Sequence, residues 1–389
     1  MCMLCDQVSG QSFGVAESHD RFAFYGLSIA PAELLDNGMV GVTRRATATD
    51  GVLDYYLHTP GGAVTVSGGG LGEQEIQSLS IPGSDQSFFN AMVRRLDRII
   101  DLDFRQVDKS SSANLDLYYD TEIDLGGRGV VLGLATYSGG DSWELFLNYP
   151  YLDDDEPYRR YALIHEFGHS LGLEHPFDSS DGDVFNGQTN PSLSAYPEDT
   201  VMAYRNPAGG SWPEFFSDND INALIQAWGA ERQFLSDGGT TFFGNSYKDD
   251  VWGGRDSDVI FGNAGFDSIH GKAGDDELRG GLNADWIKGG GGSDHIYGGR
   301  GHDTINGGWG DDFLRGGLGR DMFVISEGSD FIEDFNLMEN DCIGMLFESD
   351  FSFAQDGANL QLLTSGGVTT LLGIDQSIFE DETRIEWII

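Results

Sequence analysis

Three histidines and one glutamate stand close together in the chain, in an order that suits a metal site. Residues 165–175 read H-E-x-x-H-x-x-G-x-x-H and hold three of the eight histidines. On a helix, His165 and His169 share one face, because residues four apart lie above one another. Gly172 can end that helix in a left-handed conformation and let the chain turn back to His175. Three protein ligands with a fourth position left to water are typical of a catalytic zinc ion.

Glu166 directly follows the first of these histidines. It is rotated by about 100° around the helix from its neighbour. From that position its carboxylate can reach a water molecule on the metal without becoming a ligand, so Glu166 is the candidate general base. The chance that a sequence of this length would match the five fixed positions at random is on the order of 10⁻⁵. A buried core histidine explains one of the three, but not all of them.

The same segment resembles the signature of the metzincin metalloproteases. Downstream, Thr200-Val201-Met202-Ala203-Tyr204 resembles the Met-turn of the serralysin branch of that family. The resemblance implies that Met202 lies beneath the zinc ion with its thioether. It also implies that Tyr204 acts as a switchable fifth ligand or stabilises the oxyanion. Taken alone, the short T-V-M-A-Y motif would indicate only a buried turn. Its distance after His175 is what supports the comparison with the Met-turn.

Regular elements on either side must position these residues. A capping residue at Ser84 or Asp85 begins a predicted helix that runs to about residue 101. Acidic residues before Pro157 predict the start of the zinc helix. Ser217 and Asp220 predict the cap of a later helix. Alternating apolar residues predict strands at 115–119, 130–137 and 144–149.

In metzincins the last strand before the zinc helix borders the cleft. The resemblance therefore implies that an extended peptide substrate pairs with residues 145–148. The oxygen-rich loop at 178–183 could hold calcium or form a solvated turn, and the turn is the simpler interpretation.

A nine-residue period begins at Gly253 and runs for eight units. Aspartate fills the sixth place of each unit and an apolar residue the eighth. The aspartates are Asp258, Asp267, Asp276, Asp285, Asp294, Asp303, Asp312 and Asp321. Residues 244–252 and 325–333 read as degenerate units at the two ends.

These units resemble the G-G-x-G-x-D-x-U-x repeat of calcium-binding RTX proteins. Glycines permit the tight loops, while backbone carbonyls and aspartates offer the oxygen ligands that Ca²⁺ prefers. Two units form one coil of a parallel β-roll, so an ion is shared between units i and i+2. Eight units then give about six calcium sites. A flexible glycine-rich linker would not keep this register.

The two ends of the chain are less informative. Cys2 and Cys5 could block zinc from a propeptide, or they could be incidental thiols in a flexible leader that ends at the glycines of residues 68–70. The first residues lack the basic and apolar regions of a Sec signal. The terminal Glu-Trp-Ile-Ile resembles the uncleaved type I export signal of serralysins.

The composition restricts the partners. The formal net charge of −42 disfavours nucleic acid and anionic membranes. No apolar stretch approaches the length of a membrane span. Three cysteines give no disulfide framework. We therefore expect a monomeric extracellular protein whose partners are a protein or peptide substrate and a type I secretion apparatus.

Together these patterns predict a multi-domain chain. A leader or propeptide covers 1–70, an α+β metzincin catalytic domain 71–236, an all-β parallel β-roll 237–333, and a small β-sandwich cap with the export signal 334–389. The predicted function is a zinc endopeptidase with one catalytic Zn²⁺ and several structural Ca²⁺ ions. Two alternatives are a catalytically silent extracellular RTX surface or adhesion protein, and a zinc hydrolase that acts on other bonds.

The repeats generate a prediction about calcium. Without the ion, the stacked aspartates repel one another, so the repeat region should unfold in a chelator and refold when calcium returns. Far-UV circular dichroism of the whole chain, with calcium and then with excess chelator, measures this as a reversible loss of β-sheet signal. An unchanged spectrum in the chelator would contradict the prediction.

Overall fold

The computed structural model describes residues 2–6, 28–66, 73–121, 130–138, 141–178, 184–346, 351–379 and 385–388. The chain forms two compact units, Met1–Gly229 and Ala230–Ile389. The division falls a few residues before the boundary expected from the sequence.

The first unit is an α/β structure built on an eight-stranded mixed sheet, ordered β1-β7-β8-β6-β2-β5, with β4 pairing β6 and β3 pairing β4. Its strands are β1 (Cys2–Asp6), β2 (Val52–Leu57), β3 (Gly62–Val66), β4 (Gln74–Leu79), β5 (Asp103–Gln106), β6 (Leu115–Asp120), β7 (Val130–Ser138) and β8 (Ser142–Asn148). Its helices are α1 (Asn37–Ala46), α2 (Gly83–Leu96), α3 (Tyr149–Leu152), α4 (Glu156–Ser170) and α5 (Asp218–Trp228). The strands expected at 115–119, 130–137 and 144–149 agree closely with β6, β7 and β8.

Helix α4 carries the first two histidines of the motif and is buried along most of its length. The Asp155 side chain accepts a hydrogen bond from the Tyr158 amide and caps its start, with Pro157 in the first turn. Gly172 has φ +103° just beyond the end of the helix, where a side chain would be strained. A methyl group at Gly172 would also collide with Val40 of α1. The predicted helix stop is confirmed.

A buried ion pair fixes α4 against its neighbours. Arg159 donates to Asp85 of α2 at 2.8 Å, and both side chains are almost completely buried. Tyr119 of β6 donates to the same carboxylate at 2.8 Å. Because a buried charge left without its partner is costly, these contacts hold one helix and one strand to α4 in a single arrangement.

Residues 28–66 correct the expectation of a separate leader over 1–70. Thr43 of α1 donates to the Ser170 carbonyl at the end of α4. The Asp36 amide donates to the Gly172 carbonyl at 2.9 Å. Strand β2 lies inside the sheet between β6 and β5. These residues are therefore part of the unit that holds α4, and the glycines at 68–70 lie outside the described residues.

The second unit is a parallel β-roll of two sheets. The odd sheet contains β9 (Arg232–Phe234), β11 (Asp250–Trp252), β13 (Ser268–Ala273), β15 (Trp286–Gly291), β17 (Thr304–Trp309) and β19 (Met322–Val324). The even sheet contains β10 (Thr241–Phe243), β12 (Val259–Ala264), β14 (Glu277–Leu282), β16 (His295–Arg300), β18 (Phe313–Leu318) and β20 (Gly328–Ile332). Strands 18 residues apart pair in register, as in Ile269 with Ile287. The coil of two nine-residue units is thereby confirmed.

The eighth position of every unit faces the interior between the sheets. These side chains are at most 1% exposed and form one continuous core: Ile260, Ile269, Leu278, Ile287, Ile296, Ile305, Leu314 and Phe323. A single apolar residue per unit suffices because the coils stack these residues on one another.

The last part of the chain continues the two sheets. Strands β21 (Cys342–Leu346) and β25 (Ile385–Ile388) extend the odd sheet, while β22 (Phe351–Asp356), β23 (Asn359–Thr364) and β24 (Gly367–Leu371) extend the even sheet. A short helix α6 (Gln376–Phe379) precedes β25. The expected separate β-sandwich is replaced by this continuation, because the end of each roll sheet is an edge whose backbone groups need partners.

Candidate metal centre

The structure brings His165, His169 and His175 together. One ring nitrogen from each lies within 4.8 Å of the others, and all three side chains are buried. The Nε2 atoms of His165 and His175 are 3.2 Å apart. His169 Nε2 is buried and has no hydrogen-bond partner among the described residues. The helix supplies the first two imidazoles, and the turn at Gly172 brings the third beside them.

Backbone carbonyls set the tautomer of two of these rings. His165 Nδ1 donates to the Val201 carbonyl at 2.7 Å, and His169 Nδ1 donates to the Leu173 carbonyl at 2.6 Å. With the proton on Nδ1, each Nε2 keeps its lone pair for a metal. Burial lowers the pKa of His165 to about 4 and holds the pKa of His169 and His175 well below the usual value. Neutral imidazoles whose lone pairs converge fit a zinc ion.

Glu166 is fully buried beside a glycine of strand β7. A methyl group at Gly133 would collide with Glu166 Oε1 and lie 2.9 Å from its Cδ. The Ala135 amide lies near the Glu166 carboxyl and partly offsets the increase in its pKa that burial causes. The contact does not meet the geometry of a hydrogen bond, so neither Glu166 oxygen has a hydrogen-bond partner among the described residues. Burial raises the pKa of Glu166 well above the usual value. The sequence analysis missed Gly133, although a glycine inside a strand is a signal of close approach.

The turn at residues 200–204 is held by Asp220 of α5. This carboxylate accepts from Thr200 Oγ1 at 2.6 Å, from the Val201 amide at 2.9 Å and from the Ser217 amide at 2.8 Å. Since the Val201 carbonyl orients His165, Asp220 positions a candidate ligand through the turn. The sequence identified Asp220 only as a helix cap, because the turn lies well outside the capping motif.

Met202 and Tyr204 both lie against the histidines or their helix. Met202 is fully buried, and its sulfur would be 3.1 Å from a methyl group at Gly168, which lies between the two helical histidines. The Tyr204 ring centroid is 4.6 Å from that of His175 and 5.6 Å from that of His165. Both residues are therefore adjacent to the candidate ligands, as the resemblance to the Met-turn implies.

The expected substrate edge at residues 145–148 is wrong. Strand β8 is paired on both sides, with β7 and with β6, so its backbone groups are already engaged. Strand β7, which carries Gly133, lies between β8 and the border strand β1. Its outer edge pairs antiparallel with β1, with Met3 opposite Leu134.

In the roll, the aspartates point one oxygen at the neighbouring coil and keep the other buried. Oδ1 of Asp285 accepts from the amide of Asp267 at 2.9 Å, and the same contact repeats along the roll. The buried Oδ2 atom has no hydrogen-bond partner among the described residues in seven of them: Asp267, Asp276, Asp285, Asp294, Asp303, Asp312 and Asp321. In Asp258 the Gly254 amide donates to Oδ2 at 2.7 Å, so this first aspartate differs from the rest.

A glycine carbonyl from the next coil faces five of these oxygens, those of Asp267, Asp276, Asp285, Asp294 and Asp303. The point where a methyl group would stand on Gly262 is 2.6 Å from the Gly280 carbonyl oxygen and also meets Asp267 Oδ2. Equivalent oxygen pairs recur at Gly271 and Gly298. Burial raises the pKa of Asp267 to about 7 and of Asp285 to about 8, so a cation is needed to keep these carboxylates charged in the interior. The donor set of hard oxygens fits Ca²⁺.

Other sequence-based expectations cannot be placed. Most of the loop at 178–183 lies outside the described residues. Of Cys2 and Cys5 the structure gives only the backbone, in β1. Within the described part of the chain, no helix combines the length and apolar character needed to span a bilayer.

Comparisons with known proteins support the repeat assignment. Residues 236–269, 252–287, 261–296, 270–305 and 288–323 match the RTX calcium-binding nonapeptide repeat. Serralysin G of Dickeya chrysanthemi is 32% identical over 126 residues, which cover 28% of this chain and 25% of that protein. Serralysin C of the same organism is 37% identical over 89 residues, covering 20% and 18%. The chain thus matches a quarter or less of these relatives.

Among solved structures, the extracellular lipase LipA of Serratia marcescens is similar over 39% of this chain and 42% of that chain, with 15% identity and a TM-score of 0.17. The repeat match and the serralysin matches, and not this structure, show that the chain carries RTX calcium-binding repeats and is similar in sequence to serralysins over limited stretches.

The histidine geometry predicts a single tight zinc site. In saturating calcium, the whole chain should bind one equivalent of zinc, and His169→Ala should weaken binding by at least about 100-fold because a ligand is lost. Competition with a chromophoric chelator measures the affinity. His295→Ala, an exposed histidine of the roll, is the control and should bind zinc as the wild type does. Equal zinc affinity in the two variants would contradict the assignment.

Proposed function

We propose that the chain is a secreted, calcium-stabilised zinc endopeptidase. The observation that carries this proposal is the convergence of three buried imidazoles beside a buried carboxylate. Glu166 is next to His165 in sequence and has no protein partner for either oxygen among the described residues. Burying a carboxylate without a partner costs free energy, and groups of this kind cluster at catalytic sites. The similarity to serralysins agrees with this interpretation.

The zinc ion would be held by His165, His169 and His175. When bound there, it supplies Lewis acidity toward water and toward the scissile carbonyl. Glu166 takes a proton from the attacking water and then returns it to the leaving amine. The Tyr204 hydroxyl donates to the oxygen on which negative charge develops. Asp220 and the Val201 carbonyl keep the His165 ring in the required tautomer.

The peptide substrate would bind in an extended form at β7. The outer edge of this strand is paired with the extended segment β1, so the peptide would take the place of β1 there. Gly133 of β7 touches Glu166, so a peptide paired with this edge passes close to the candidate base. This edge replaces residues 145–148 as the proposed substrate-binding strand.

The roll would bind several calcium ions between its coils, through the aspartates of the sixth position and glycine carbonyls. Unfolding without calcium would keep the chain export-competent inside the cell. We therefore include extracellular localisation, passage through a type I secretion apparatus and a monomeric state in the proposal. The terminal Glu386-Trp387-Ile388-Ile389 segment would serve as the export signal.

The proposal predicts a sharp loss of activity in one isosteric variant. Glu166→Gln should lower cleavage of denatured casein in millimolar calcium by about 100- to 10,000-fold, because proton transfer is lost. Zinc binding should remain. A wild type that binds both metals but cleaves no protein, even after removal of residues 1–27, would overturn the protease assignment. It would favour the silent RTX surface protein, or, if a panel of esters and glycan amides is cleaved, another zinc hydrolase.

The contact between β7 and the carboxylate predicts a second effect. Gly133→Ala should displace Glu166 and lower kcat by about 100-fold while zinc affinity is kept, since a shift of about 1 Å is enough to disturb proton transfer. Kinetics on a fluorogenic peptide measure this. Gly83→Ala is the matched control, because a methyl group there meets no atom within 4 Å. Unchanged kcat in Gly133→Ala would show that the carboxylate does not depend on this glycine.

A further inference from the structure

The odd sheet of the roll carries a groove of about 590 Å³ that the proposed peptidase does not use and that borders the repeat loops at Gly289 and Gly290. Its lining includes Trp252, His270, Lys272, Lys288, Gly290 and Trp309. All of these residues lie in the roll, in strands β11 to β17. The groove crosses neighbouring coils, so a linear molecule could lie along the stack.

Lys272 has an unusual backbone conformation. Its φ is +76°, and the other non-glycine residues with positive φ in the described part of the chain are all asparagines. The equivalent positions of the next two coils are Gly290 and Gly308, with φ +124° and +114°. Positive φ strains the backbone of a lysine, whereas glycine adopts it without strain and asparagine is partly tolerated. Because glycine would occupy this position without backbone strain, the presence of lysine indicates that the Lys272 side chain has a function.

Two positive charges meet in this groove. The chain has a net charge of −42, yet two of its few lysines stand on the adjacent strands β13 and β15. Lys272 pairs in register with Gly290, and Lys288 pairs with His270. Neither lysine takes part in an ion pair among the described residues of the roll. With Glu327 as the acidic residue of the lining, the groove keeps a net positive charge and suits an anion.

Aromatic rings lie near the Lys272 ammonium group and line the groove beside it. The Lys272 ammonium lies 5.6 Å from the Phe234 ring centroid and 5.7 Å from that of Trp252. Trp252 stacks on His270 with ring centroids 3.7 Å apart. Trp309 is 69% exposed and covers Gly291, since a methyl group there would be 3.7 Å from its Cε3 atom. An exposed indole resting on glycine offers a flat apolar surface to a ligand.

We propose that this groove binds an acidic glycan, namely a chain of uronic acid residues. A sugar acid offers both features that the groove requires. The C–H face of its ring packs against Trp309, and its carboxylate accepts hydrogen bonds from the two ammonium groups. An acidic peptide would satisfy the lysines but has no flat ring for the indole. The groove adds a binding function to the roll that does not depend on the proposed peptidase activity.

The test uses the whole chain in millimolar calcium with a short oligogalacturonate, too short to gel, as the probe. Isothermal titration should show saturable binding. The methyl-esterified oligomer, which has the same rings without charge, should bind about tenfold more weakly, and oligoglutamate of equal charge should bind no better than the ester. Trp309→Ala should also weaken binding of the oligogalacturonate.

The decisive variant is Lys272→Gly. It removes one ammonium group but places glycine where φ is positive, so binding should fall about tenfold while the midpoint of thermal unfolding does not fall. Lys288→Gln should weaken binding likewise and decides the matter if Lys272→Gly is less stable. Arg300→Gln, an exposed cation of the even sheet, is the control and should bind as the wild type does.

Three results would overturn the proposal. They are the absence of saturable binding to the wild type, wild-type affinity in both Lys272→Gly and Lys288→Gln, and oligoglutamate binding as tightly as the uronate. The last result would show that the groove recognises an acidic peptide.

Discussion

Buried polar atoms without a partner in the chain are the feature on which both units depend. In the described residues, Glu166 and His169 keep such atoms in the first unit, and seven aspartates keep them along the roll. Folded proteins usually satisfy buried polar groups, because an unsatisfied one costs free energy comparable to a lost hydrogen bond. Where the same kinds of atom converge, as three imidazoles or as stacked carboxylates facing carbonyls, a cation is the natural partner.

The two units meet this constraint in different ways. In the first unit, contacts from distant parts of the chain orient the imidazole lone pairs of His165 and His169. The Leu173 and Val201 carbonyls fix the protons of two imidazoles, and Asp220 fixes the turn that contains Val201. The histidine centre can therefore be preorganised by the protein alone. In the roll the geometry repeats every 18 residues, and each coil depends on the next, so the stability of the whole stack is coupled to its ions.

The strand edges explain why the first unit differs from the simplest sequence interpretation. A strand can accept an extended peptide only if one of its edges is available, and β8 is enclosed by β7 and β6. Strand β7 lies between β8 and the short border strand β1, so its outer edge becomes available only when β1 is displaced. Because β7 also touches Glu166, substrate pairing and catalysis would then use the same element. The packing of residues 28–66 against α4 similarly connects this segment to the helix that carries His165 and His169.

The sequence by itself determined the features that depend on local spacing. The interval of four residues placed His165 and His169 on one helical face, Gly172 ended the helix, and the nine-residue period fixed the register and core of the roll. Only the tertiary structure decided which strand borders the centre, that Gly133 touches Glu166, and that Asp220 supports the turn beside His165. These contacts join residues tens of positions apart, and a local pattern carries no information about which distant segments will pack together. Lys272 shows the same division, since the repeat predicted glycine at its position, but the aromatic groove around its ammonium group arises only when the coils stack.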